Sequence, residues 1–285
     1  MWQHEPVLLK EALEWLKVEP EGVYVDATAG LGGHSSAILE RLSEKGRLYC
    51  FEWNEDTYEY LKERFKNEKR VKLYNKSFVE LGQVLKTEGV LADGILFDLG
   101  LSSYLIEGSG RGFTFQKNEP LDMRMSLNAE LTAEFVLNRY TFKELAEVFK
   151  RGEVPKAEKF ASFICKKRKH KPLSTTKDLV EAVKEFYHST KKDLLAVVFQ
   201  SIRIEVNKEL ENLETALKEA VECLKTGGRL VVISFHSLED RIVKRFLKEC
   251  EKIKPLTKKP IVPTKEEVRK NPRARSAKMR VGEKL

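Results

Sequence analysis

The sequence predicts an α/β protein, a Rossmann-like sheet with helices on both faces and a small helical domain inserted into it. Three observations carry this. The stretch GVYVDATAGLGGH at residues 22–34 runs from a β-branched and aromatic strand pattern through a glycine turn into a helical pattern, the order of a ligand-binding loop in a parallel sheet. Further apolar runs end in an acid, Leu48–Phe51 before Glu52 and Ile95–Phe97 before Asp98, as buried parallel strands do when their carboxyl ends face a crevice. From about residue 108 to about 192 the strand pattern vanishes, and so long a span is no ordinary crossover.

Taken in order, residues 7–16 (VLLKEALEWL) form an amphipathic helix ahead of the first strand, Val23–Asp26. Leu48–Phe51, Val71–Tyr74 and Ile95–Asp98 follow as strands, with a helix marked by Tyr58, Leu61 and Phe65 among them. In the insertion, Thr141-x-x-Glu144 is a capping box, Pro155 opens a helix, and Lys166–Lys171 is a basic cluster ahead of Pro172. A long helical stretch from Asp193 to Leu224 is capped by Gly227-Gly228. Arg229–Ser234 is the fifth strand, Ser237-x-x-Asp240 caps the helix after it, and Ser276–Val281 is the last strand.

Composition narrows the function classes. Hydrophobic residues make up 41% of the 285, enough for a substantial core and against wholesale disorder. No apolar run reaches the ~20 residues of a membrane span, and MWQHEPVLLK lacks the apolar segment of a signal peptide. Cys50, Cys165, Cys223 and Cys250 are scattered without a C-x-x-C pair; they read as small hydrophobes in a reducing cytoplasm, with no metal site. The net charge of +8 sits entirely in residues 254–285, which hold eleven Lys or Arg against three Glu. Such a segment suits a polyanionic partner.

The glycine loop departs from the dinucleotide fingerprint. It reads G-x-G-G-H after an acid, where a pyrophosphate binder has G-x-G-x-x-G. It resembles the first motif of S-adenosylmethionine methyltransferases, whose ligand has no phosphate. Glu52, 22 residues past Gly30, stands where a doubly wound sheet places the acid that accepts from ribose hydroxyls. Asp98, at the carboxyl end of a central strand, faces the ligand crevice by the same rule.

Eight blocks then follow in order: HEPVLL at 4–9, DATAGLGGHS at 26–35, FDLGLSS at 97–103, RGFTF at 111–115, EPLDMRM at 119–125, FQSIRIEVNKEL at 199–210, GGRLVVISFHSLEDRIVK at 227–244 and NPRARSAKMR at 271–280. Together they resemble the RsmH (MraW) family, bacterial methyltransferases of 16S ribosomal RNA. The resemblance implies S-adenosylmethionine as cofactor and methyl transfer to the exocyclic N4 of a cytidine near the decoding centre. Its substrate would be 16S rRNA within the small subunit or a late assembly intermediate. It carries the cofactor contacts to Gly32, Gly33, His34, Glu52, Phe78 and Asp98. Asp98 is also the candidate catalytic group, because an acceptor for an N–H of the cytosine amino group at this strand end would help the nitrogen pyramidalise for attack. Leu105 stands where the family commonly has a cofactor-contacting Gln. Amino-methylating enzymes carry an Asp/Asn/Ser-Pro-Pro-aromatic loop at this strand end; Asp98–Ser102 takes that place without the prolines.

On the substrate side the candidates are Ser102, Arg111, Phe113, Arg124, His236, Arg273 and Arg275. Phe113, Phe115 and Phe235 are aromatics able to stack on a flipped base, and the arginines would meet phosphates or base edges. The expected division is a catalytic domain of residues 1–107 and 193–285 around an RNA-recognising insertion, 108–192. Two other classes stay open. A nicotinamide dehydrogenase would need the phosphate-binding glycines, and a non-catalytic RNA-binding protein could retain the same shell. Within the enzyme class, another RNA or DNA is the alternative substrate.

Overall fold

A computed structural model describes residues 6–189 and 191–285; His4 and Glu5 of the first sequence block lie outside them. Seven strands form one sheet: β1 Val23–Asp26, β2 Arg47–Phe51, β3 Val71–Tyr74, β4 Ala92–Asp98, β5 Leu224–Ser234, β6 Ile253–Pro255 and β7 Lys278–Lys284. Their order is β3-β2-β1-β4-β5-β7-β6. β1 to β5 are mutually parallel, whereas β7 runs antiparallel to both β5 and β6. The strand order reverses between β1 and β4, which opens a crevice at the carboxyl ends there.

The central strands read as unbroken apolar runs because both faces are covered. Successive residues then alternate between two cores. Leu96, Val231 and Ile233 join Leu16, Ile38, Leu48 and Met279 on one face. Ile95, Phe97, Leu230 and Val232 join Val25, Phe51, Leu85 and Leu217 on the other.

The chain divides into two compact units, residues 1–102 with 210–285, and residues 103–209. The second has its own core, with Leu145 and Phe149 on the helix Phe142–Arg151, Phe160 and Ile164 on Ala157–His170, and Leu179 and Val183 on Thr176–Tyr187. The capping box is present at Thr141 and Glu144. Residues 108–132, expected to be largely helical, are irregular.

The expected return to the sheet at residue 193 moves to 210. The apolar register through 193–224 looks continuous in sequence but belongs to two helices, Lys192–Asn207 and Glu209–Glu222, broken at Lys208 with φ 50°. Val198, Phe199 and Ile202 of the first lie in the core of the second unit, whereas Leu213, Ala216 and Leu217 of the next pack on the sheet. Gly227-Gly228 caps neither helix; both glycines lie within β5, beside a register shift opposite Ala92 and Gly94.

The basic C-terminal segment is built into the first unit. β7 pairs with β5 from Arg229↔Glu283 to Ser234↔Lys278. The helix Lys265–Lys270 reaches back to the start of the chain, where the Leu8 N–H donates to Glu267 Oε1 at 2.7 Å. On β7, Arg280 donates to Asp240 through Nε at 2.7 Å and Nη2 at 3.2 Å. Burial works to raise the Asp240 carboxyl, but the Arg280 bonds and charge, with Lys278 beside them, outweigh it and leave it lowered. A carboxyl lowered in the fold contributes stability above its unfolded pKa and loses it as pH falls through the folded value. Arg280→Ala is expected to cost about 3 kcal/mol at neutral pH by leaving Asp240 poorly paired. Urea denaturation should show that cost shrinking in acid.

Candidate functional site

The crevice end of the first unit gathers acids from four strands or the loops that follow them. Asp26 closes β1 fully buried, its Oδ2 accepting from Ser35 Oγ at 2.6 Å and its Oδ1 from the Thr28 N–H at 3.2 Å. Glu52 follows β2 and accepts from the Asn54 N–H at 2.7 Å. Asp98 closes β4, and its N–H donates to Thr28 Oγ1 at 2.6 Å, which ties this strand end to the β1 loop. Glu239, buried after β5, accepts from the Phe235 N–H at 2.8 Å.

Desolvation dominates the electrostatics of this edge. Burial raises Asp26 to about 6 against the Ser35 and Thr28 hydrogen bonds. It raises Glu52 to about 7 against backbone donors at Asn54, Gly30 and Trp53, with Asp26 adding repulsion. Asp98 is pushed highest, to about 8, by burial first and then by the charges of Asp26 and Glu239. Its Oδ1 is buried with no hydrogen-bond partner among the described residues. Its Oδ2 lies 3.5 Å from His34 Nδ1, while His34 Nε2 is 3.2 Å from the Val7 carbonyl oxygen. With Nε2 donating to that carbonyl, Nδ1 of the neutral ring is an acceptor, so a proton on Asp98 can serve both groups.

Three carboxyls held above their ordinary range, one with an orphaned oxygen, make a place for a cation and a poor place for pyrophosphate. S-adenosylmethionine carries a sulfonium and an ammonium, and the donor set here fits both. The glycine turn is fixed by packing as well as by the needs of a ligand. Gly32 has φ 81°, and a Cβ there would meet Leu61 Cδ2 at 3.0 Å, while one on Gly33 would lie 2.4 Å from Pro6 Cγ. Arg64 braces the turn, donating to the Leu31 carbonyl at 2.9 Å and to Ser36 Oγ at 2.8 Å.

The other sequence candidates divide sharply. Phe78 stands on the single turn after β3, edge-on to Phe97 with centroids 5.7 Å apart. Ser102 is half-buried at the end of the β4 loop. Arg273 and Arg275 are exposed on either side of the buried Ala274, on a 3₁₀ turn leading into β7. His236 sits after β5 as placed, but it is the helix cap in place of Ser237: its Nδ1 accepts from the Glu239 N–H at 3.3 Å and its Nε2 is 3.1 Å from Glu239 Oε1. Phe235 lies against Gly100, where a Cβ would approach its ring to 2.8 Å.

In the second unit, Arg111 and Arg124 hold their own loop together. Arg111 donates to the carbonyls of Arg124 and Met125, both at 3.3 Å. Arg124 forks onto Asp122 and donates to the carbonyls of Leu127 and Ala129. Phe115 packs edge-on to Phe199, Phe113 is half-buried, and Leu105 is buried with no polar atom to offer. Asp26, Thr28, Arg64 and Glu239 were not singled out as site residues by sequence. Asp26 and Thr28 adjoin the glycine turn and carried a usable hint, whereas Arg64 acts through contacts distant along the chain.

A Rossmann-like sheet closed by an antiparallel β7, with an acid-lined crevice edge, defines an S-adenosylmethionine-dependent methyltransferase. The profile of the MraW methylase family matches residues 1–285, and the chain belongs to that family. It is 44% identical over 307 residues to the ribosomal RNA small subunit methyltransferase H of Caldicellulosiruptor saccharolyticus, covering all of both chains. To the protein of the same name from Thermosipho melanesiensis it is 44% identical, over 99% of this chain and 98% of that one. An rRNA-methylase crystal structure from Clostridium thermocellum shares the fold at a TM-score of 0.50 and 15% identity, over 99% of this chain and 100% of that one.

Should S-adenosylmethionine bind beside these raised acids, its affinity would depend on pH with a definite sign. A cation favours the ionised carboxyl, so protons held on Glu52 near pH 7 and Asp98 near pH 8 compete with it. Affinity is expected to rise from about pH 6.5 to about 8.5 and level off above, with proton uptake by the buffer. Asp26, Glu239 and His34 are the groups facing Asp98 that shape the curve. Calorimetry in buffers of different ionisation enthalpy measures the protons released; Asp98→Asn should remove the component near pH 8.

Proposed function

We propose that this methyltransferase modifies the exocyclic N4 of a cytidine in 16S ribosomal RNA near the decoding centre, within the small subunit or a late assembly intermediate, in the cytoplasm. The observation that carries the chemistry is Asp98, an acid of raised pKa with an unpartnered oxygen at the strand end where the sheet order reverses. The full-length likeness to rRNA small subunit methyltransferases supports the substrate.

In this reading Glu52 accepts from the ribose hydroxyls, Phe78 flanks the adenine, and the Gly32-Gly33-His34 turn and Asp98 hold the methionyl end. S-adenosylmethionine supplies an electrophilic methyl carbon on a positively charged sulfur. The cytosine amino group is a weak nucleophile because its lone pair is delocalised into the ring. A carboxylate accepting one of its N–H bonds would favour pyramidal nitrogen and aim the lone pair. As the N–C bond forms, the amino group must lose one proton. Asp98 stays ionised beside a cation, and its affinity for a proton returns once that charge is gone, which suits it to receive the proton. Ser102 and His236 lie on the base side, and the insertion contributes RNA recognition, with Phe113 beside a loop that Arg111 and Arg124 stiffen.

The test is labelled-methyl transfer onto small-subunit rRNA lacking the modification, followed by nucleoside analysis. N4-methylated cytidine is expected. A different nucleoside, or transfer only to other RNA or DNA, would move the enzyme to another substrate. In the same assay Glu52→Ala should weaken cofactor binding by ~1–3 kcal/mol, while Asp98→Asn should reduce turnover far beyond any change in stability. Asp98 is structural if the Asn variant still binds cofactor and turns over within a few-fold of the parent.

The basic C-terminal segment supplies a second check. Arg273 and Arg275 project from a turn anchored by β7 and so present fixed charges. Arg273→Ala combined with Arg275→Ala should weaken RNA binding and flatten its salt dependence, by roughly 0.7–0.9 on a log–log plot per lost phosphate contact. Cofactor affinity should barely change. Filter binding at several salt concentrations reads both effects, and an unchanged slope would leave these charges merely solvated.

A further inference from the structure

Within the second unit, residues 132–140 and 166–174 enclose a cleft of about 550 Å³ lined by Thr132, Phe135, Asn138, Arg139, Arg168 and Pro172. Its floor is rigid. Asn138 donates through Nδ2 to the Leu173 carbonyl at 2.8 Å and accepts the Leu173 N–H on Oδ1 at 3.0 Å. Arg168 spends its guanidinium on the carbonyls of Leu137 and Tyr140, at 2.8 and 2.6 Å, at the end of the helix Ala133–Arg139. Those bonds bring Arg168, in the last turn of the helix Ala157–His170, into the lining of the cleft beside Phe135.

Phe135 is out of place for a structural aromatic. Phe149 and Phe160 are fully buried in the core of this unit, yet Phe135 is 51% exposed, its ring held edge-on to Tyr140 at 6.3 Å. Arg139 follows one helical turn later in the cleft lining, exposed and without an acid partner among the described residues; Lys169 of the basic cluster is exposed likewise but does not line the cleft. Lys167 and Lys171 of the same cluster are instead paired with Glu185 and Asp178. The acid of the cleft, Glu134, accepts from Ser174 Oγ at 2.8 Å. An exposed aromatic face beside an arginine without an acid partner among the described residues, on a floor fixed by hydrogen bonds, matches an unstacked nucleotide, whose base offers a π-face and whose backbone carries the opposite charge.

We propose that this cleft is a binding subsite for single-stranded RNA of the substrate, with one base stacked on Phe135 and an adjoining phosphate held by Arg139. The proposal rests on the RNA-methylating reading above and adds to it a second place where the substrate is gripped. Its two contacts have different physical signatures. Stacking is nearly insensitive to salt, whereas each phosphate contact releases counterions.

The test uses the full-length protein in two arms, binding of a short unstructured oligoribonucleotide and methyl transfer to rRNA lacking the modification. Phe135→Ala should weaken oligonucleotide binding roughly tenfold with the salt slope unchanged, and Phe135→Trp should restore it. Arg139→Ala should flatten the slope by roughly 0.7–0.9. In the methylation arm, Phe135→Ala should act mainly on KM for the RNA. Parent-like binding of both Phe135→Ala and Arg139→Ala would overturn the subsite and leave the face to a protein partner. If Phe135→Ala weakens oligonucleotide binding while the parent enzyme fails to methylate the rRNA, the subsite stands and the substrate reading fails.

Discussion

Everything at the ligand end of this molecule depends on keeping carboxyls buried at the carboxyl edge of a parallel sheet. Such groups are costly: taken out of water they hold on to their protons, and when ionised they repel one another. The fold tolerates them by supplying donors in the right places. Ser35 and the Thr28 N–H serve Asp26, the Asn54 N–H serves Glu52, and the Phe235 N–H serves Glu239. Of these acids, Asp98 alone has a buried oxygen without a hydrogen-bond partner among the described residues. In the function proposed above, a cationic ligand would meet that oxygen.

Thr28 shows how closely that edge is joined. Its N–H serves Asp26 and its hydroxyl accepts from the Asp98 N–H, so one small side chain couples the ends of β1 and β4, the two strands between which the sheet order reverses. Arg64 does similar work beside the glycine turn, crossing from the end of the helix Glu55–Arg64 to the Leu31 carbonyl. The turn's shape comes from these links together with the left-handed backbone at Gly32.

Much of this was legible in the sequence, for a physical reason. Buried parallel strands are short apolar runs, and the acids that end them stand out by contrast, so β1 to β5, Glu52 and Asp98 could be placed from local pattern alone. What escaped depended on long-range contact. The apolar register through residues 193–224 is periodic on both sides of Lys208, and only the left-handed break there assigns its two halves to different units. Arg111 and Arg124 look like phosphate ligands because arginine commonly is one, yet loop carbonyls and Asp122 had first claim on them. Their neighbour Phe113 carries no such bond, and its half-buried state could not be guessed from RGFTF. His236 held its expected place, with its ring turned to capping a helix.

The antiparallel β7 has a consequence for the order in which the chain can be made. β6 finds a partner only in β7, and β5 gains its second neighbour only when residues 278–284 exist. The Leu8 N–H likewise waits for Glu267. During synthesis the first four strands emerge early and then stand by while 107 residues of the second unit are added, a contiguous segment able to close on local contacts. The sheet is completed only when β7 has been made, so a chain stopped before residue 278 would hold every residue of the acid-lined edge and still lack the strand that pairs with both β5 and β6.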